Sequence, residues 1–382
     1  MTTETTTPVA TPAPVEVRGN TWRPTFRGVL LSTWIKLLRR RPTRKGYIFY
    51  GLTVAAILGL GILVAVQSEA AKNSVPLELV LVLILGAGML IGPSLSATSI
   101  NGDSSEGVLA PLQMTRLSAG DLAIGKLLAS WAVCFAALLT TTPFLVYAFS
   151  RSGWTFGELA VVLVVSLFIV LAFTAVGLAW SSIAARSVGS VSLTHITSGF
   201  MLLGTLLVFA FTTPLVSETV TVTYRDFDYD QMTEEEQMDP NFDWSTLPCV
   251  DMESEYTITH TDRTAWLLLI NPAVVISETA PIVNPETYEE DGRAAPGIYA
   301  MIHQAVSEAR MGPETPQGYD VCADEYGDEN AWQERQTATA TYPQSPWLGL
   351  AASGALLVGS MWIAVRRLHV PYKKLRTGTR VA

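Results

Sequence analysis

The residues best suited to chemistry are few, and their spacing defeats most of the chemistries they suggest. GDLAIGKL, from Gly120 to Leu127, comes within one residue of the phosphate loop G-x-x-x-x-G-K-[ST]. Its last position is Leu127, so the hydroxyl that would hold magnesium is missing, no strand precedes it, and an apolar run follows directly. Lys126 therefore reads as a cation snorkelling from the end of a membrane span. DFDYD, with Asp226, Asp228 and Asp230, begins like a calcium loop. Gln231 stands where that loop turns on glycine, and Gln237 where it closes on a bidentate glutamate. The four histidines, His195, His260, His303 and His369, lie on separate segments and assemble no Ser-His-Asp order and no H-E-x-x-H. His195 stands alone at the start of an apolar run, a packing or hydrogen-bonding position. The three cysteines are too far apart for C-x-x-C or zinc spacing. Cys134 sits in an apolar stretch as a packing residue. Cys249 and Cys322 share one acidic segment, where an oxidising compartment would allow a disulfide between them. No catalytic, cofactor or metal residues are expected in this chain.

The elements that would position these residues follow from composition. Of 382 residues, 49% are apolar and 15% charged, with a mean hydropathy of +0.31. Soluble domains carry about a quarter charged residues, so a cytosolic enzyme is disfavoured. The net charge of −9 divides unevenly. Residues 215–345 hold 26 of the 34 acids and five bases, or −21, and the rest of the chain holds 8 acids against 20 bases, or +12. An apolar basic body with one acidic insert describes a membrane protein with a domain outside the bilayer. The field of that insert repels nucleic acid.

Crossing about 30 Å of hydrocarbon takes about 20 apolar residues. Six stretches meet this: 47–67, 77–98, 122–149, 158–184, 192–213 and 346–365. A seventh, 264–283, is interrupted by Asn271-Pro272 and carries Glu278, and reads as an interfacial helix of the outer leaflet. With six spans the inner side collects 18 bases while the short outer loops hold only Lys72 and Arg151. The spans have ionisable residues at their ends alone, so any transport would be driven from outside them. The expected fold is thus an α-helical polytopic membrane protein with six transmembrane helices, an N-terminal interfacial helix and a small α+β extracytoplasmic insert. Residues 1–21, a Thr/Pro/Ala stretch without a cleavable signal peptide, form a disordered cytoplasmic tail. Residues 22–46 are the interfacial helix, with Phe26, Leu30, Trp34 and Leu37 on one face and Lys36, Arg39 and Arg40 opposite, near anionic lipid. Residues 47–213 hold spans one to five around a cytoplasmic loop at 99–121. The acidic domain fills 214–345, and 346–382 form the last span and a basic cytoplasmic tail. Both termini are expected in the cytoplasm, and the bilayer is expected to be the cell membrane. Within the insert, 218–224 and 255–261 alternate like strands and 296–310 like an amphipathic helix.

The loop is the most specific segment. NGDSSEGVLAPLQMTRLSAGDLAIGKLLASW, 101–131, places Asp103 and Glu106 ahead of Leu109 and Leu112, then a break at Leu117-Ser118 and an entry at Gly125-Lys126. This order resembles the cytoplasmic loop of permease subunits of type-2 ABC exporters, with two departures: Gly107 follows Glu106 directly, and Val108 replaces a threonine. The resemblance covers roughly 22–214 and 264–370 and leaves the acidic insert unmatched. It implies that two permease subunits pair, as a homodimer or heterodimer, and that the loop docks into a separate cytoplasmic ATPase that uses ATP and magnesium. Asp103, Glu106 and Arg116 would then offer exposed charge around Val108, Leu109 and Leu112. The competing expectation is a membrane-anchored receptor or envelope-assembly protein working through its acidic outer domain. Six spans exceed what an anchor needs.

Overall fold

A computed structural model of the chain describes residues 23–39, isolated positions between 51 and 62, and 74–233, 246–282, 297–314, 318, 320–323 and 331–369. The span expected at 47–67 and both tails lie largely or wholly outside these residues.

Among the described residues, five helical segments are long and apolar enough to cross a membrane: Val75–Ser105, Ala119–Ser152, Phe156–Ile183, Ser187–Leu215 and Trp347–Leu368. Before them comes α1 (Phe26–Arg39). The first segment divides into α2 (Val75–Ala97) and a short α3 (Ser99–Ser105), followed by α4 (Leu109–Gln113). The second divides into α5 (Ala119–Leu138) and α6 (Thr142–Ser152), which ends on Gly153. The third is the unbroken α7 (Phe156–Ile183). The fourth joins α8 (Ser187–Gly199) through a π-helical turn, Phe200–Gly204, to α9 (Thr205–Thr212). The insert opens with an antiparallel ribbon of β1 (Ser217–Phe227) and β2 (Cys249–Thr259), in register from Ser217 opposite Thr259 to Phe227 opposite Cys249. Then come α10 (Trp266–Leu269), α11 (Pro272–Ser277), α12 (Ile298–Met311), α13 (Ala331–Ala340) and the last span α14 (Trp347–Leu368).

Without a hydrophobic drive between helices in lipid, close packing rests on small residues. α2 and α7 follow this rule. A side chain at Gly88 would strike Val170, one at Gly92 would strike Thr174, and one at Gly177 would strike Ser96 and the Pro93 carbonyl. Ser96 Oγ donates to the Thr174 carbonyl at 2.6 Å across the same seam. The core around this pair takes in Leu81, Ile84, Met89, Ile169, Val170 and Phe173. A second cluster at one end gathers Ile100, Leu122, Leu127, Leu178 and Leu368.

The apolar segment expected at 264–283 forms, over its described residues, two short helices in place of one long one. Asn271 ends α10 and caps α11 by accepting from the Ala273 N–H at 2.9 Å. Its amide donates to the Leu202 carbonyl at 2.7 Å and to Thr205 Oγ1 at 2.9 Å. The acceptor carbonyl lies within the π-helical turn, where the regular ladder is interrupted.

Candidate functional site

One end of the bundle gathers the 99–118 loop, α1 and the adjoining ends of α5, α7 and α14. The loop folds for local reasons. Gly107 has φ of 71°, and its N–H bonds the Ser104 carbonyl while the Val108 N–H bonds the Asp103 carbonyl. These are the paired bonds of a Schellman cap, which explains the glycine directly after Glu106. At the Leu117-Ser118 break, Ser118 and Asp121 form a capping box that starts α5. Asp121 also accepts from the Thr25 N–H at 2.7 Å, fastening α1 to that helix. Gly28 and Ser32 of α1 pack against Asp121 and Gly125, leaving Phe26, Leu30, Trp34 and Leu38 exposed on the other side.

Two expectations need correction here. Lys126 does not snorkel: it is 2% exposed and ion-paired to Asp103 Oδ2, with a further bond to the Ser99 carbonyl at 2.9 Å. Asp103 offers no exposed charge: it is 4% exposed and also binds Lys36 of α1 at 2.7 Å. The near phosphate loop is α-helical from Ala119 onward, so its backbone is not arranged as a phosphate-cradling turn, and its lysine is committed to Asp103. Glu106 is exposed beside Arg39 at 3.4 Å, which makes a second rung parallel to Lys36–Asp103. Arg116 is exposed, whereas Val108, Leu109 and Leu112 are half-buried, the two leucines packing on the second core cluster. The exposed apolar residue is Met114, at 82%. Sequence reading missed it because a lone methionine between Gln113 and Thr115 carries no periodicity. Beside the loop lies a cleft of about 280 Å³ lined by Asn101, Ser104, Ser182 and Arg367, among others. His195 lies within 2.8 Å of Ser94 Oγ, a hydrogen-bonding role.

The opposite end carries the insert. The structure bonds Cys249 to Cys322, tying the start of β2 to the turn at Val321–Ala323. Asp226 accepts from the Phe227 N–H and the Tyr229 hydroxyl, and Asp228 from the Gln231 amide, so DFDYD is a hydrogen-bonded turn. Helix α12 is seated between two buried carboxylates. Glu78 of α2 accepts from the Tyr299 N–H at 2.8 Å in the first turn, where a negative charge suits the helix dipole. Burial, reinforced by that charge, pushes the Tyr299 phenol well above its ordinary range. Glu278 receives His303 Nδ1 at 2.8 Å. Ser307 Oγ lies 3.5 Å from His303 Nε2, so the fold does bring a serine, a histidine and a carboxylate together where sequence reading found none. Ser307 is fully buried, and the nearer Nε2 partner is the Tyr342 carbonyl at 3.1 Å. Among the described residues the group clasps α12 to the segments at Glu278 and Tyr342. Arg335, bonded to Glu308 and Glu314, has its guanidinium held above the ordinary range, first by the Glu308 hydrogen bond.

The chain matches no protein-family model and no curated protein sequence. The architecture defines it as a helical membrane protein with a folded loop at one end and an insert containing a two-stranded ribbon at the other.

Proposed function

We propose that the chain is the permease subunit of an ATP-driven exporter of ABC type, with six spans, both termini in the cytoplasm and the acidic insert outside the cell membrane. The observation that supports this best is the 99–118 loop. It is folded by its own caps into two short helices, and it is clipped to α1 through Lys36–Asp103 and to α5 through Lys126–Asp103. A force applied to such a loop reaches two helices at once, which a merely solvated connection cannot do. Glu106, Met114 and Arg116 are among its exposed residues, suited to an ATPase with an apolar cleft and a charged rim. ATP and magnesium belong to that partner, and a second permease subunit completes the path.

The test is isolation of the tagged full chain from its native membranes in mild detergent. An ATPase bearing a complete phosphate loop is expected in stoichiometric amount, with vanadate-sensitive hydrolysis. Recovery of the folded chain with no ATPase in any detergent that preserves other membrane complexes would overturn the reading.

A further inference from the structure

The clasp at the insert end has a feature beyond its burial. Both ring nitrogens of His303 face acceptors: Nδ1 the carboxylate of Glu278 at 2.8 Å and Nε2 the carbonyl of Tyr342 at 3.1 Å. A neutral imidazole donates from one nitrogen only, so both bonds exist together only when the ring is protonated. Glu278 Oε2 accepts from the Ser345 N–H at 2.6 Å and lies 3.6 Å from Arg310, so its other neighbours among the described residues are donors.

Everything this clasp holds converges on one segment. Arg310 donates to the Pro343 carbonyl at 2.8 Å and lies over the Tyr342 ring, and the Gln344 amide donates to the Ala280 carbonyl at 2.6 Å. Residues 342–345 lead directly into α14. Their bonds run to the 278–280 segment that follows α11 and to α12. The charged and titratable groups packed around His303 among the described residues are Glu278, Arg310 and Tyr342, with Tyr299 and its partner Glu78 one turn away.

We propose that His303 and Glu278 form a proton-operated latch: the protonated imidazole holds residues 342–345 and the head of the last span to the insert, and loss of the proton to water releases them. A proton gained or lost here makes or breaks one of the two bonds, so the compartment bathing the insert sets the state of the latch. The inference does not depend on the exporter reading, and its test does not involve an ATPase.

The experiment is hydrogen exchange of the full chain in lipid nanodiscs between pH 5.5 and 8, with rates normalised for intrinsic base catalysis. Protection of 342–346 is expected to fall about tenfold or more as pH rises, the change that loss of one buried hydrogen bond produces. The ribbon peptide 253–259 serves as the internal reference, because His260 sits beside Glu218 and Asp262 at the base of the ribbon. His303→Gln should show low protection at 342–346 without a pH step, and His260→Gln should retain the step. An unchanging wild-type profile, or a step that persists in His303→Gln, would overturn the latch. If His303→Gln does not insert, Glu278→Gln together with the wild-type map decides in the same way: a step that survives in Glu278→Gln, or is spread evenly over the insert, refutes it.

Discussion

Replacing Asp103 with alanine tests the inner cluster most sharply. The carboxylate is 4% exposed and is shared by two ammonium groups, of which Lys126 is 2% exposed and Lys36 reaches solvent more easily. Removing it strands Lys126 in an apolar setting beside Leu122 and Leu127, with the Ser99 carbonyl as its remaining partner among the described residues. Breaking a buried pair from one side costs about 3–5 kcal/mol, whereas replacing both members with apolar residues is close to neutral. Lys36 can swing towards water and adds about 1 kcal/mol or less. Asp103→Ala should therefore lower the folding equilibrium between about a hundredfold and several thousandfold. Asp103→Leu combined with Lys126→Met should recover most of that loss. Reversible unfolding in mixed micelles, followed by tryptophan fluorescence, provides the measurement. The reasoning fails if Asp103→Ala stays within about 1 kcal/mol of the parent, or if the double variant is no more stable than the single one.

Other outcomes follow from individual contacts. A non-reduced digest should contain Cys249 linked to Cys322, and serine at either position should cost about 2–5 kcal/mol in thermal stability of the insert; two free thiols in the mature protein would contradict this. Asn271→Ala removes two donor bonds and a cap at a fully packed site and should cost about 2–4 kcal/mol, with Asn271→Asp no better because it cannot donate to the Leu202 carbonyl. The purified chain should show no saturable ATP binding, since Lys126 is ion-paired within a helix; binding that Lys126→Ala abolishes would show otherwise. In a cysteine-free background, an impermeant thiol reagent on intact cells should label a cysteine at Glu255 and not one at Ser104, and the reverse pattern would invert the proposed topology.

Much of the membrane body was legible because hydropathy is local. Runs at 77–98, 158–184 and 346–365 reappear as Val75–Ala97, Phe156–Ile183 and Trp347–Leu368. Asn271-Pro272 gave away the broken segment for an equally local reason, since an asparagine cap followed by proline in the first turn starts a new helix there. The site was less legible. Asp103 and Lys126 are 23 residues apart and belong together only once the Schellman cap at Gly107 and the capping box at Ser118 have folded the loop back. Leu109 and Leu112 looked available to a partner because they follow Asp103 and Glu106 in a loop between spans, yet the ends of α7 and α14 supply a core for them. Glu278 and His303 come from different elements of the insert, and nothing in the spacing of four scattered histidines marks one as facing two acceptors.

The central claim is that the 99–118 loop transmits work from a partner ATPase, and its exposed surface is where to test it. Glu106→Lys combined with Met114→Asp reverses one charge and removes the exposed apolar contact while leaving the Lys126–Asp103 pair untouched. Like charges at a specific contact weaken it strongly, whereas the solvated Arg39 rung contributes little to folding. The account predicts that this variant inserts and unfolds like the parent, yet loses co-purifying ATPase and transport-stimulated hydrolysis. A correctly inserted Glu106→Lys, Met114→Asp chain that still purifies with a fully active ATPase would contradict it.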